Sequence, residues 1–83
     1  MSKETIGKVT HYYDQAMVAV IRLSDNLKVG ETVKFVHREN EFIQPVESME
    51  VEHQKVQLGL PGDEVAIKVN QATHQNAAVY KVE

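Results

Sequence analysis

Four histidines, at positions 11, 37, 53 and 74, are the side chains best suited to metal binding or proton transfer near neutral pH. None has a second histidine at i+2 or i+4, so local geometry puts no two imidazoles on one face of a strand or helix. They read as surface or strand-end histidines, and no metal site is expected. Ser24, Ser48, Thr10 and Thr32 supply hydroxyls, but the Gly-x-Ser-x-Gly turn that presents a nucleophilic serine is absent, and no Ser has a His beside it in the chain. Turn and strand roles follow. Gly7, Gly30, Gly59 and Gly62 form neither Gly-x-x-x-x-Gly-Lys-Ser/Thr nor Gly-x-Gly-x-x-Gly, so no nucleotide cofactor is expected, nor any other. With no activated nucleophile, metal set or cofactor motif, the chain reads as a non-enzyme.

Binding chemistry is better represented. Glu39, Glu41, Glu47, Glu50 and Glu52 crowd one stretch, and Glu50 and Glu52 share a face if their strand is regular. Close carboxylates share a proton or hold a cation, but a solvated acidic face is their ordinary outcome. Lys55 or Lys68 on a neighbouring strand would relieve the repulsion. Tyr12, Tyr13, Phe35, Phe42 and Tyr80 are the stacking candidates for single-stranded nucleic acid. Phe35 alternates with Val33 and reads as core. Tyr12 and Tyr13 fall on opposite faces of a continuing strand, so at least one of them is exposed. Lys8, Arg22, Lys28 and Lys34 are the matching phosphate contacts, and only Arg22 and Arg38 offer a planar fork.

Length and composition limit what these residues can serve. Eighty-three residues make one domain, 1–83, with a modest core. An apolar fraction of 42% and a charged fraction of 25% are those of a soluble globular domain. A net charge of −3, with the Lys and Arg residues scattered, is opposite to the basic excess that phosphate neutralisation demands. There is no Cys, hence no disulfide framework or thiolate nucleophile, which suits a reducing cytoplasm. The longest apolar run, Ala16 to Ile21, is far short of the roughly 20 residues of a membrane span, and the first residues show no apolar signal segment. A cytoplasmic protein without membrane contact is the expectation.

Alternation, rather than helical period, dominates the elements that must position these groups. A first strand is expected at about Thr5–Tyr13 and a second at about Ala16–Leu23. In the second, Ala19, Ile21 and Leu23 share one face and Val18 and Val20 the other, which predicts a central strand covered on both sides. Ser24-Asp25-Asn26 is a turn cluster, and Gly30 reverses the chain into a third strand, Thr32–His37, followed by the polar loop Arg38–Glu41. A fourth strand, Phe42–Glu52, contains Pro45, which implies an edge or a bulge there. A break at Glu52-His53-Gln54 leads to a short strand at Lys55–Leu58, which precedes the Gly59–Asp63 turn. The alternating Val65, Ile67 and Val69, a polar loop at Asn70–Asn76 and a last strand, Ala78–Val82, complete the chain. No repeat is evident. The pattern predicts an all-β fold, a small six- to seven-stranded Greek-key-like barrel, with closure answering the hazard of exposed strand edges.

Ile6-Gly7-Lys8-Val9, Ala19-Val20-Ile21-Arg22-Leu23, Leu27-Lys28-Val29-Gly30-Glu31-Thr32-Val33, Val46-Glu47-Ser48-Met49-Glu50-Val51 and Pro61-Gly62-Asp63-Glu64-Val65 together resemble the second domain of translational GTPases such as elongation factor Tu. The chain is similar, at least as closely, to the barrel at the C-terminus of collagenase-like peptidases, several of which are tied to tRNA modification. The first resemblance implies a translation-protein barrel and places Glu50 on the family's acidic position near the terminal adenosine of tRNA. Glu52 stands where the family has an aromatic or His, and Glu64 where it has the Asn near the aminoacyl group. Both departures add negative charge. The reading that follows is a stand-alone, non-catalytic binding module that docks onto a protein partner in translation or RNA metabolism. Direct RNA binding through Tyr12 or Tyr13 with Lys8, Arg22, Lys28 and Lys34 is the alternative. Fold alone does not decide between them.

Overall fold

Alternating apolar residues do become strands, and turn chemistry sets where they stop. The computed structural model describes residues 5–82. Ten strands follow in order: β1 Thr5–Tyr13, β2 Val18–Leu23, β3 Leu27–Lys28, β4 Thr32–His37, β5 Asn40–Pro45, β6 Met49–Val51, β7 Gln54–Val56, β8 Leu58–Gly59, β9 Glu64–Lys68 and β10 Ala78–Val82. Eight form one antiparallel sheet in the order β5-β4-β10-β1-β2-β9-β6-β7, and β3 pairs with β8 separately. The fold is all-β, as expected, but with more strands than six or seven. Two expected strands are each divided. Phe42–Glu52 breaks between Pro45 and Met49, where proline cannot continue the ladder. Gln57 separates β7 from β8.

Both faces of the sheet are set by period 2. Val9, Ile21, Val33, Phe35, Val65 and Ile67 point inward and are almost fully buried. Phe35 stacks on Phe42 with ring centroids 4.9 Å apart. The sheet curls until β5 reaches the end of β9, and a side chain makes the closure. Gln44, 4% exposed, donates from Nε2 to the Lys68 carbonyl at 2.9 Å and accepts at Oε1 from the Asn70 amide at 2.8 Å. The amide group thus substitutes for a length of missing ladder.

The two glycine turns share one architecture. In Lys28-Val29-Gly30-Glu31 and Leu60-Pro61-Gly62-Asp63 the glycine has φ of 99° and 91° respectively. The fourth residue's amide donates to the first residue's carbonyl, at 3.2 Å from Glu31 and 3.0 Å from Asp63. That is the type II turn, whose third residue must take positive φ. The acid then reaches back, accepting from the Lys28 amide at Glu31 Oε1 (2.7 Å) and from the Leu60 amide at Asp63 Oδ2 (3.0 Å). Each turn also clasps one further residue: Gly30 N donates to Val46 O and Val46 N to Glu31 O, while Gly62 N donates to Leu23 O and Leu23 N to Asp63 O. Leu27 pairs with Gly59, so the short strands that lead into the two turns lie side by side. The sequence shows no repeat, and the likeness is confined to the geometry of the two turns. Glycine and an acid are all the turns need in common, too little to register as a repeat.

Candidate functional site

The outer face of β1, β2, β9, β6 and β7 gathers most of the chemistry-bearing side chains. Its cross-strand register produces three outward rows. Lys8, Arg22 and Glu64 make the first; His11, Val20, Ala66, Glu50 and Lys55 the second; Tyr13, Val18 and Lys68 the third. Inward residues alternate with them, with Tyr12, Ala19 and Ile67 lying between the second and third rows.

An apolar strip runs through the middle of this face. Val18, Val20 and Ala66 are half-buried although they point away from the core. Beside it, Ala16, Val18, Ser48, Glu50, Ala66 and Lys68 line a shallow depression of about 210 Å³. Charges of both signs frame the strip, with Glu50 directly opposite Lys55 as the sequence required for relief of repulsion. The expectation that Val18 and Val20 would be covered on their own side is corrected. β2 is central in the sheet, yet no second layer lies over it among the described residues.

Tyr13, 55% exposed, lies on this face, while Tyr12 turns inward, half-buried, its hydroxyl 3.2 Å from Met17 Sδ. Only Tyr13 of the pair is therefore free to stack on a ligand. Arg22, Glu50 and Glu64 belong to the face as well. Glu52 does not. It occupies the β6–β7 turn with φ of 52°, so the shared face expected for Glu50 and Glu52 is lost where the strand ends. Lys34 lies on β4 and pairs with Glu41 at 3.3 Å, and Lys28 lies on β3, outside the main sheet. The predicted phosphate-binding lysines are thus dispersed.

Val18, Val20 and Ala66 were not legible as site residues, because small apolar side chains in a strand look like core. The one signal was the double-faced apolar character of β2. At one end of the barrel, the His37 and His74 rings meet at a tilt of 35° with centroids 4.7 Å apart, beside an open hollow of about 580 Å³ that Arg38, Glu39 and Asn40 also line. Nothing local predicted that meeting across thirty-six intervening residues. Among the described residues, no group of three or more His, Asp or Glu side chains is placed to hold a metal ion. No helix of the described residues is long and apolar enough to cross a membrane.

No family model matches the chain. It is 30% identical over 79 residues to an uncharacterised protease of Methanocaldococcus jannaschii, a match that covers 94% of this chain and 19% of that protein. The chain therefore spans about a fifth of that relative's length. Among solved structures, the C-terminal domain of a Geobacillus thermoleovorans protein described as a U32 peptidase superposes with a TM-score of 0.91 at 22% identity, over 96% of this chain and 93% of that one. The selenomethionine form of the same domain gives 0.89, also at 22%, over 95% and 100%. Of the two resemblances drawn from sequence, these comparisons support the peptidase-appended barrel and not the second domain of elongation factor Tu. The chain has the fold of the C-terminal domain of a U32 peptidase.

Proposed function

We propose that the chain is a non-catalytic β-barrel binding module that docks onto a protein partner, with a place in translation or RNA metabolism. The observation that carries this reading is the half-buried strip of Val18, Val20 and Ala66 on an outer face, framed by Glu50, Lys55 and Lys68. An apolar centre with a charged rim of both signs is the anatomy of a protein interface. The partner class that fits best is the remainder of a peptidase-type polypeptide. The protease from Methanocaldococcus jannaschii carries the matching segment as a minor part of a longer chain, which supports that choice. The test is calorimetric titration of the purified chain into a U32-type peptidase from which the C-terminal domain has been removed. Saturable binding that weakens about tenfold or more with Val20→Lys is the expected result, as one charge buried in a small interface costs at least about 1.4 kcal/mol. No heat and no co-elution at micromolar concentrations would sink the reading.

Direct RNA binding has one observation in its favour: Tyr13, Lys8 and Arg22 share the outer face. It requires affinity for tRNA that falls steeply with salt. Absence of tRNA binding at low ionic strength would remove it.

A further inference from the structure

Lys8 and Arg22 face each other directly across β1 and β2, and both are exposed. Like charges in that position destabilise a sheet. Elsewhere the barrel offsets such charges: Lys34 lies 3.3 Å from Glu41 and Lys81 3.4 Å from Glu31. Among the described residues no carboxylate comes within 4.0 Å of Lys8 or Arg22. Glu64 is next in the row, opposite Arg22, but outside ion-pair distance.

The backbone around this pair is irregular on both sides. β1 shifts register against β10 between Thr5 and Gly7, and against β2 between Val9 and His11. Two bulges thus bracket Lys8, and bulges re-aim side chains. Between them lies a hollow of about 260 Å³ lined by Lys8 and Arg22, by the hydroxyl residues Thr5, Thr10 and Ser24, and by Gly7 and Leu23. Gly7 has no room for a side chain, since a Cβ there would sit 2.7 Å from Ile21 Cγ2 and 2.8 Å from the Arg22 carbonyl oxygen. Thr10 Oγ1 donates to the Val20 carbonyl at 3.3 Å and Ser24 Oγ to that of Thr5 at 3.4 Å, so the hydroxyl protons are engaged and Lys8 and Arg22 are the side-chain donors left to an acceptor-only ligand.

We propose that this hollow is a receptor for a single carboxylate, presented by an Asp or Glu side chain or the C-terminus of the protein partner. The inference rests on the docking reading above and names the anchor of that interface. Arg22 supplies the planar fork that takes a carboxylate in two parallel hydrogen bonds, and Lys8 adds a point charge from the neighbouring strand. The row's charge selects the ligand. Lys8 and Arg22 with Glu64 sum to +1, which complements a singly charged group, whereas a phosphate monoester carries close to two negative charges. An RNA strand needs successive cations along its backbone, but on the strands that flank the pair, β9 places Glu64 next in the row and Lys81 of β10 is held by Glu31.

The test is amide-resolved NMR on the full chain, titrated separately with acetate, inorganic phosphate and tRNA, beside the peptidase titration described above. Saturable acetate shifts at Gly7, Lys8, Arg22 and Ser24 that weaken at least tenfold in Arg22→Gln and persist in Val20→Lys are expected. Arg22→Gln should also weaken partner binding at least tenfold. Lys8→Gln serves as a second variant that leaves the fork in place, and it should weaken acetate less than Arg22→Gln. Acetate saturation without partner binding would count against the docking reading alone. Partner binding that is indifferent to Arg22→Gln, or no saturable acetate response at these residues, would overturn the receptor. Tenfold tighter binding of phosphate than of acetate, or tRNA displacing acetate from the site, would overturn its assignment to a carboxylate.

Discussion

The glycines of this barrel separate into two kinds, and each kind makes a different demand on substitution. Gly30 and Gly62 have nothing within 4 Å of a would-be Cβ, but their φ values of 99° and 91° are ones that L side chains rarely take. Gly7 and Gly59 are limited by space instead. At Gly59 a Cβ meets the side-chain atoms Leu23 Cδ1 at 2.6 Å and Val65 Cγ1 at 3.0 Å, with the nearest backbone atom, the Leu27 carbonyl oxygen, at 3.7 Å. At Gly7 one of the two close atoms is the Arg22 carbonyl oxygen, which is fixed by the sheet. Gly7→Ala is therefore expected to destabilise by about 1–3 kcal/mol and Gly59→Ala by less, as read from urea midpoints. An equal loss in the two variants would contradict the distinction between backbone and side-chain obstruction. Both glycines looked like ordinary turn or bulge positions in the sequence, because the atoms that exclude a methyl group come from strands far along the chain.

Among the elements, the β6–β7 hairpin carries the clearest local misfit. Val51 pairs with Gln54 across a two-residue turn, and the turn residues Glu52 and His53 both have positive φ, 52° and 67°. A tight hairpin favours this geometry because its twist matches that of the strands, but it asks for Asn-Gly or Asp-Gly. Each side chain held in the left-handed region costs roughly 1–2 kcal/mol. Replacing Glu52-His53 by Asn-Gly should stabilise the protein by about 1–2 kcal/mol, equivalent to roughly 4–16 °C in Tm for a domain of this size. Calorimetry of the double variant checks this, and an unchanged or lowered Tm would refute it. The turn also explains a sequence expectation that failed. Period 2 placed Glu52 beside Glu50, whereas the chain reverses at Glu52 and pulls it off the shared face. The sequence places a break at Glu52-His53-Gln54 and the chain does reverse there, but Glu and His, poor hairpin formers, did not mark it as a two-residue turn.

At the scale of the whole molecule, a sheet of eight strands becomes a barrel through side-chain hydrogen bonds as much as through its ladder. Gln44 holds β5 to the end of β9, and its amide is the only link of its kind between the two among the described residues. Gln44→Leu keeps the volume and removes both hydrogen bonds, leaving the Lys68 carbonyl and the Asn70 amide to find other partners. The expected loss is about 2 kcal/mol in urea denaturation. That is a large share of the stability of so small a domain, about 5 kcal/mol at the low end of the usual range. A loss under about 0.5 kcal/mol would mean that the ladder alone closes the barrel.

Period-2 alternation determined the all-β class, the spans Thr5–Tyr13, Thr32–His37 and Ala78–Val82, and the inward set around Phe35 and Ile21, because these follow from local geometry and the burial of apolar area. Gly30 and Gly62, each followed by an acid, announced their turns for the same reason. The candidate site was only half legible. Tyr13, Arg22, Glu50 and Glu64 were marked by residue type, but their assembly into neighbouring rows, the dispersal of Lys28 and Lys34, and the inward turn of Tyr12 came from strand order and bulges. Register between strands distant in the chain is decided by long-range pairing, and a shift of one residue exchanges every inward side chain for an outward one. The juxtaposition of Lys8 with Arg22, in register across β1 and β2 between two bulges, is therefore a property of the tertiary structure alone.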